Sequence, residues 1–159
     1  MFKRLFGGGR AELSLTEPDE VLTSGIEILA QPPGKSMSTL SLLSGGERSM
    51  TAVALLFATY QVKPSPFCIL DEIDAALDDR NIGYFLDVLQ DFAQTSQFII
   101  ITHNTHTVTG GNAMLGVSQM EAGVSTAVSY RIASIEGQPR ILNDEGNEVE
   151  FDSEGRKKK

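Results

Sequence analysis

The sequence predicts an α/β fold with a parallel core pair of strands, helices packed on it, and an antiparallel β flank. Three observations carry this. Two short, continuous apolar runs, Phe67-Cys68-Ile69-Leu70 and Phe98-Ile99-Ile100-Ile101, flank a segment of helical periodicity, the strand–helix–strand order of a right-handed crossover. A helix start is written at Ser44-Gly45-Gly46-Glu47, where Ser44 can cap and Glu47 can reach back three residues later. Toward both ends of the chain, stretches that alternate polar and apolar residues sit between glycine and proline breaks, the pattern of half-buried antiparallel strands.

Taken in order, residues 1–10 end in the flexible turn Gly7-Gly8-Gly9. Residues 11–15 and 25–29 read as two strands of a small antiparallel unit, joined by a turn containing Pro18. Gln31-Pro32-Pro33-Gly34-Lys35 then breaks regular structure. The helix from Ser44 runs through Met50, Val53, Ala54, Leu56, Phe57 and Tyr60, is mostly apolar and is expected to be well buried. Lys63-Pro64-Ser65-Pro66 stops it. The run from Phe67 ends in Asp71-Glu72, as suits a buried parallel strand with carboxylates at its C-terminal end. Ile82, Phe85, Leu86, Leu89, Phe92 and Ala93 follow helical spacing, and the second buried strand ends in Thr102-His103-Asn104. Gly110-Gly111-Asn112 interrupts a stretch expected to be helical, and residues 114–120 and 125–132 read as further strands.

The chain has 159 residues, of which 41% are hydrophobic, enough for one folded domain with a real core. No apolar run approaches the ~18 residues of a membrane span, and residues 1–9 are basic without the apolar stretch of a signal peptide. Cys68 is the single cysteine, so an internal disulfide and a cysteine-rich zinc site are excluded and a reducing, cytoplasmic setting is expected. The formal net charge is −8, which argues against this chain by itself being the main surface that grips a DNA polyanion. Its last part is acidic, from Asp144 to Glu154, then ends in Lys157-Lys158-Lys159, as expected of a solvated, mobile tail.

Three elements carry chemistry. The turn Leu43-Ser44-Gly45-Gly46-Glu47 offers free N–H groups at a helix start, close backbone approach at the glycines and a serine hydroxyl, a set that suits a phosphate. Alone, the pentapeptide is more simply a capping box. The pair Asp71-Glu72 places one carboxylate for Mg²⁺ and the next for the attacking water of a phosphoryl transfer, although acids also follow strands as plain helix caps. His103, at the end of a neighbouring parallel strand, can contact a γ-phosphate; alone, a strand-end histidine is more often structural. His106 lacks a third ligand that would make the two histidines a metal site.

The joint order is far more specific than its parts. LSGGE, an apolar strand ending in DE, then ALD, then an apolar strand ending in TH, resembles the C-terminal motif series of ABC-class ATPases. The flanks FKRLFGGGRAELSLT, IEILAQPPGK, LSLLSGGE, PSPFCILDEIDAALDD and QFIIITHN resemble bacterial and archaeal SMC (structural maintenance of chromosomes) proteins over residues 2–131.

That resemblance implies a half-domain of a P-loop NTPase of the ABC type: the C-terminal lobe of an SMC ATPase head. Residues 1–132 would form the lobe and residues 133–159 an extension, acidic then lysine-rich. The phosphate loop would come from the N-terminal lobe of the same SMC protein, because this sequence holds no G-x-x-x-x-G-K-[S/T]. The chain would then begin where the descending coiled coil ends. By resemblance, Asp71 holds Mg²⁺ through water, Glu72 is the general base, and His103 is the switch histidine, all serving ATP on their own head. Ser44, Gly45, Gly46 and Glu47 resemble the signature motif that meets ATP held by a second SMC head, and Asp78 resembles the aspartate of the dimer interface. ATP would join two heads and its hydrolysis release them. Further implied partners are a kleisin subunit, docked on the antiparallel flank or near residues 125–132, and DNA through the complete complex. The setting would be the cytoplasm, on the nucleoid. Two other readings share part of the pattern: a RecN-like or zinc-hook DNA-repair ATPase, which should lack these flanks, and a binding module that has lost its chemistry.

Overall fold

The computed structural model describes residues 1–135 and 137–151. They fall into two compact units, one covering Met1–Thr102 and the other starting at His103.

The first unit opens with a short helix α1 (Phe2–Leu5), followed by β1 (Arg10–Leu15) and β2 (Ile26–Gln31), which pair antiparallel from Arg10↔Gln31 to Leu15↔Ile26. A two-residue strand β3 (Ser38–Thr39) adds to β2, and a 3-10 turn (Leu40–Leu42) leads into the long helix α2 (Gly45–Val62). Strand β4 (Phe67–Asp71), helix α3 (Asp79–Ala93) and strand β5 (Gln97–Ile101) complete the unit. β4 and β5 pair parallel with register Phe67↔Gln97 through Asp71↔Ile101, as the two apolar runs predict.

The core of this unit is formed by Leu5, Met50, Phe57, Phe85 and Val88, with Leu70 from β4. An aromatic cluster of Phe57, Tyr60, Phe92 and Phe98 joins α2, α3 and β5, with ring centroids 5.3–6.5 Å apart. α1 belongs to the same core, with Phe2 and Phe6 stacked at 4.1 Å and Leu5 fully buried. Four residues are too few to hold a helix by propensity, so α1 exists because its apolar side chains are covered.

The glycine turn that follows α1 is required by geometry. Gly9 adopts φ 72°, and a Cβ there would lie 2.2 Å from the carbonyl oxygen of Gln31. Gly9→Ala combines left-handed strain with a clash against backbone, and is expected to destabilise the chain by about 2–4 kcal/mol. A drop in the chemical-denaturation midpoint by several tenths of a molar or more checks this; an unchanged midpoint would refute it.

One expectation is corrected here. The parallel strands read as buried on both faces, but only one face is covered. Cys68, Leu70, Phe98 and Ile100 face the core, whereas Phe67, Ile69, Ile99 and Ile101 are 56%, 57%, 46% and 51% exposed. α2 and α3 cover the first face, and nothing else in this unit is placed to cover the second. The apolar run records what must be buried; it does not say which chain supplies the cover. α2 is likewise only partly buried, with Leu56 and Val62 exposed beside buried Val53 and Phe57.

The second unit holds helix α4 (Thr105–Thr109) and strands β6 (Ala113–Glu121), β7 (Val124–Ile135) and β8 (Gln138–Leu142), which form one antiparallel sheet in the order β6-β7-β8. α4 is short because Gly110 caps it and Gly111-Asn112 lead directly into β6, so the expected longer helix does not form. β7 continues beyond the expected strand end at residue 132, and its pairing with β8 runs from Arg131↔Leu142 to Ile135↔Gln138. Residues 133–135 continue β7 and residues 138–142 form β8, so the antiparallel sheet runs past Ile132. The lysines at 157–159 lie outside the described residues. Among the described residues, no helix is long and apolar enough to cross a membrane.

Candidate functional site

The first candidate element is the start of α2. Ser44 is its N-cap, with the extended backbone (φ −62°, ψ 162°) of that position, and the capping box is complete. The Glu47 amide donates to Ser44 Oγ, while Ser44 N–H and the Ser44 hydroxyl donate to Glu47 Oε2 at 3.1 and 2.7 Å. Lys35, from the proline-glycine break, brings its ammonium to 2.8 Å from Glu47 Oε1. The Ser44 hydroxyl is one of the donors expected to suit a phosphate. In the structure its proton is held by Glu47, so it must turn to serve a phosphate. Gly45, Gly46 and Ser44 itself are exposed.

The Glu47 carboxyl is held down from its ordinary 4.5 to about 2, first by the hydrogen-bonded Lys35 ammonium and then by the Ser44 hydroxyl. A depressed carboxyl stabilises the fold above its unfolded value and loses that contribution as pH falls from about 4.5 toward 2. Lys35 is exposed, so solvent screening reduces the contribution to about 1 kcal/mol. In urea unfolding, wild type is expected to exceed Glu47→Gln by that amount at pH 6. The gap should shrink toward pH 2; a gap independent of pH would refute the assignment.

The second element is the end of β4. Asp71 lies on the exposed face that also carries Ile69 and Ile101. Glu72 follows it with φ 45°, the one non-glycine positive φ among the described residues. Such a backbone costs of order 1–3 kcal/mol and persists only where its surroundings enforce it. Here the Glu72 N–H donates to the Ile101 carbonyl at 2.9 Å, and the Glu72 carbonyl accepts from Ala75 N–H at 3.1 Å. A groove of about 380 Å³ opens between the loop and α2, with Glu72, Ile73 and Ala76 on one side and Ala52, Val53 and Leu56 on the other.

Asp74 lies in the same loop. It is 2% exposed, and Thr102 donates to its Oδ2 at 2.7 Å. An acid in a loop gives no sequence signal of burial, and only its neighbour Thr102, distant in the chain, reveals the pairing.

Asp78, expected at a dimer interface, is the N-cap of α3: its Oδ1 accepts from Asn81 N–H at 2.8 Å, and it is exposed. Capping occupies one carboxylate oxygen and leaves the residue at the surface. The signature-like turn lies near the same loop, since a Cβ on Gly46 would lie 3.6 Å from the Ala76 carbonyl oxygen. The structure thus brings together in one unit the residues 44–47, the loop 71–78 and the end of β5. His103 is the first residue of the second unit and is exposed. After it, Asn104 caps α4, accepting at Oδ1 from the amides of His106 and Thr107 at 2.9 and 3.4 Å.

Among the described residues, no group of three or more His, Cys, Asp or Glu is placed to hold a metal ion. That excludes an all-protein cage in the described part, not a hydrated Mg²⁺, which takes one or two carboxylates and completes its shell with water and phosphate oxygens. A single exposed Asp71 at a strand end fits that donor set.

Comparison with known proteins sets these features beside relatives. Residues 22–126 match the family model described as RecF/RecN/SMC N terminal domain. The chromosome partition protein Smc of Bacillus subtilis (strain 168) is 51% identical over 132 residues, 83% of this chain and 11% of that protein. That of Rhodopseudomonas palustris is 53% identical over 145 residues, 90% of this chain and 12% of that protein. The chain therefore spans about a tenth of the length of the curated relatives it matches. Among solved structures, an Smc head bound to the C-winged helix domain of ScpA superposes with TM-score 0.75 at 41% identity, over 82% of this chain and 40% of that one. A structure from work on ATP-driven dimerization and DNA-stimulated activation of SMC ATPases gives TM-score 0.74 at 41% identity, over 80% and 77%.

Proposed function

The chain belongs to the RecF/RecN/SMC N-terminal domain family, and we propose that it is the C-terminal lobe of the ATPase head of a chromosome-partitioning SMC protein. Its α/β fold, with parallel and antiparallel sheets, is that of SMC ATPase heads. The family description names an N-terminal domain; the assignment to the C-terminal lobe rests on the residues themselves. The signature-like turn, the strand ending in Asp71-Glu72 and the strand ending before His103 are present in that order, and no phosphate loop is.

The single observation that carries the proposal is the β4–β5 pair. Two parallel strands covered on one face do not make a finished sheet. Both candidate carboxylates stand at its C-terminal end, where α/β sheets bind their ligands. Its open apolar face, with Phe67, Ile69, Ile99 and Ile101, is the surface that the N-terminal lobe would cover.

In the completed head, Glu72 accepts the proton of the water that attacks the γ-phosphate, and its fixed backbone aims the carboxylate. Asp71 would hold a hydrated Mg²⁺, which when bound neutralises charge on the phosphates. His103 would touch the γ-phosphate of the same nucleotide. Ser44, Gly45 and Gly46 would present the start of α2 to the nucleotide of a second head, with the Ser44 hydroxyl turning from Glu47 to phosphate, and Asp78 would lie at that interface. Glu47 would act there through Ser44 and not as a phosphate ligand, because two anions repel.

The solved relative bound to a ScpA winged-helix domain supports a kleisin partner, docked on the β6–β7–β8 sheet, where Leu115 and Val117 are 68% and 69% exposed. The solved relative from work on ATP-driven dimerization and DNA-stimulated activation of SMC ATPases supports a second head and DNA as partners of the complete complex. The proposed setting is the nucleoid in the cytoplasm, and residues 1–132 are proposed as the part that completes the head.

Co-expression with a phosphate-loop lobe tests this. The chain alone is expected to release phosphate no faster than background, and the reconstituted head is expected to bind ATP, dimerise and turn it over. Turnover by the purified chain alone would overturn the half-site assignment.

A further inference from the structure

We infer that Asp74 is a positioning residue for Glu72: buried and bonded to Thr102, it pins the loop after β4 to the end of β5 and holds the Glu72 backbone in its left-handed conformation. This rests on Glu72 being the general base.

The geometry is local. Glu72 N–H bonds the Ile101 carbonyl at 2.9 Å, and Thr102 Oγ1 bonds Asp74 Oδ2 at 2.7 Å. Two residues of the loop, Glu72 and Asp74, are thereby tied to Ile101, the last residue of β5, and Thr102, which follows it. The Ala75 amide to Glu72 carbonyl bond, 3.1 Å, closes the turn that carries both ties, and the Leu77 amide to Asp74 carbonyl bond, 3.0 Å, closes the next. Glu72 at φ 45° sits inside this bracket. Without the side-chain tie, a strained glutamate is freer to relax toward ordinary backbone angles.

The choice of residue supports a geometric role over a packing role. Asp74 is 2% exposed, and burying a carboxylate is costly even when it is hydrogen-bonded. An apolar side chain would fill the same space at lower cost, but it could not fix a direction. A hydrogen bond from a hydroxyl to a carboxylate oxygen does fix one. Asp74 touches neither nucleotide nor water in this scheme and acts through the backbone it holds.

The test uses the complete SMC-type protein carrying both lobes, with ATP turnover, ATP KM and ATP-driven head dimerisation measured on each variant. Asp74→Ala and Thr102→Val are expected to lower kcat about 10- to 100-fold, as small misplacements of a reacting group do, with KM and dimerisation within about twofold of wild type. Asp74→Asn and Thr102→Ser, which can rebuild the bond, are expected to recover kcat to within about threefold. If Asp74→Ala fails to fold, Thr102→Val carries the test. Wild-type kcat in Thr102→Val, or equal loss of kcat, KM and dimerisation in a folded variant, would overturn the inference. Glu72→Gln measured alongside separates the two claims: if it also turns over normally, the general-base assignment has failed; if it stalls while Thr102→Val is normal, only the positioning role has.

Discussion

Glu72→Gln in the complete protein is expected to bind ATP and join heads but to hydrolyse about 10²–10⁴-fold more slowly, so that dimers accumulate. The amide keeps the size and hydrogen-bonding reach of glutamate but cannot take a proton from water. The left-handed backbone at residue 72, φ 45°, is no more strained with glutamine than with glutamate, so folding is not the cause of the loss. The ties to Ile101 and Ala75 are made by backbone and survive the change. Gel filtration with ATP should show a dimer that persists for hours, and phosphate release should fall to near background. Monomers only, or normal turnover, would remove Glu72 from its role.

Ser44→Arg is expected to leave ATP binding to the single head nearly intact and to abolish ATP-driven dimerisation, a loss of at least about 100-fold in head–head affinity. Two costs need separating. Losing the N-cap removes the bond to the Glu47 amide and lowers stability by about 1 kcal/mol, which a folded head tolerates. The larger effect is steric. The turn is open at Gly45, where an added Cβ meets nothing within 4 Å, and in the proposed head that open space would admit the second head's phosphate. An arginine at residue 44 fills it. Engagement at wild-type affinity would show that this turn does not face the second head's nucleotide.

Much of the site is legible in the sequence because its determinants are local. Ser44 and Glu47 are three residues apart and form the capping box their identities predict. The parallel pairing of β4 and β5 follows from two apolar runs around an amphipathic helix. What depends on distant chain is not legible. α1 is four residues long and is held by burial of Phe2 and Leu5, so no periodicity announces it. The open face of β4–β5 has the same composition as a covered one. Nothing in a glutamate asks for positive φ, and the Ile101 carbonyl that bonds the Glu72 amide comes from a strand distant in the chain. Asp74 looks like a solvated loop acid until Thr102 is beside it. The lysine that holds Glu47 is likewise invisible to a capping-box pattern, because Lys35 arrives from across the proline-glycine break. The length of β7 is likewise not legible: the alternation from Val128 to Ile132 breaks at Ala133-Ser134, and pairing with β8 carries the strand on to Ile135.

The central claim is that this chain serves two nucleotides, its own head's through Asp71 and Glu72 and the partner head's through Ser44 and its glycines. Mixing two singly substituted heads tests it most directly. Ser44→Arg heads and Glu72→Gln heads are each expected to be inactive alone. In a mixed dimer, the nucleotide on the Ser44→Arg head meets its own intact Glu72 and the intact Ser44 of the other head. Division between heads therefore predicts that the mixture regains turnover, up to about half the wild-type rate per dimer, since one of the two composite sites is whole. If both residues act on one nucleotide within a single head, every site in the mixture is defective, and mixed dimers that form yet release no phosphate would contradict the claim.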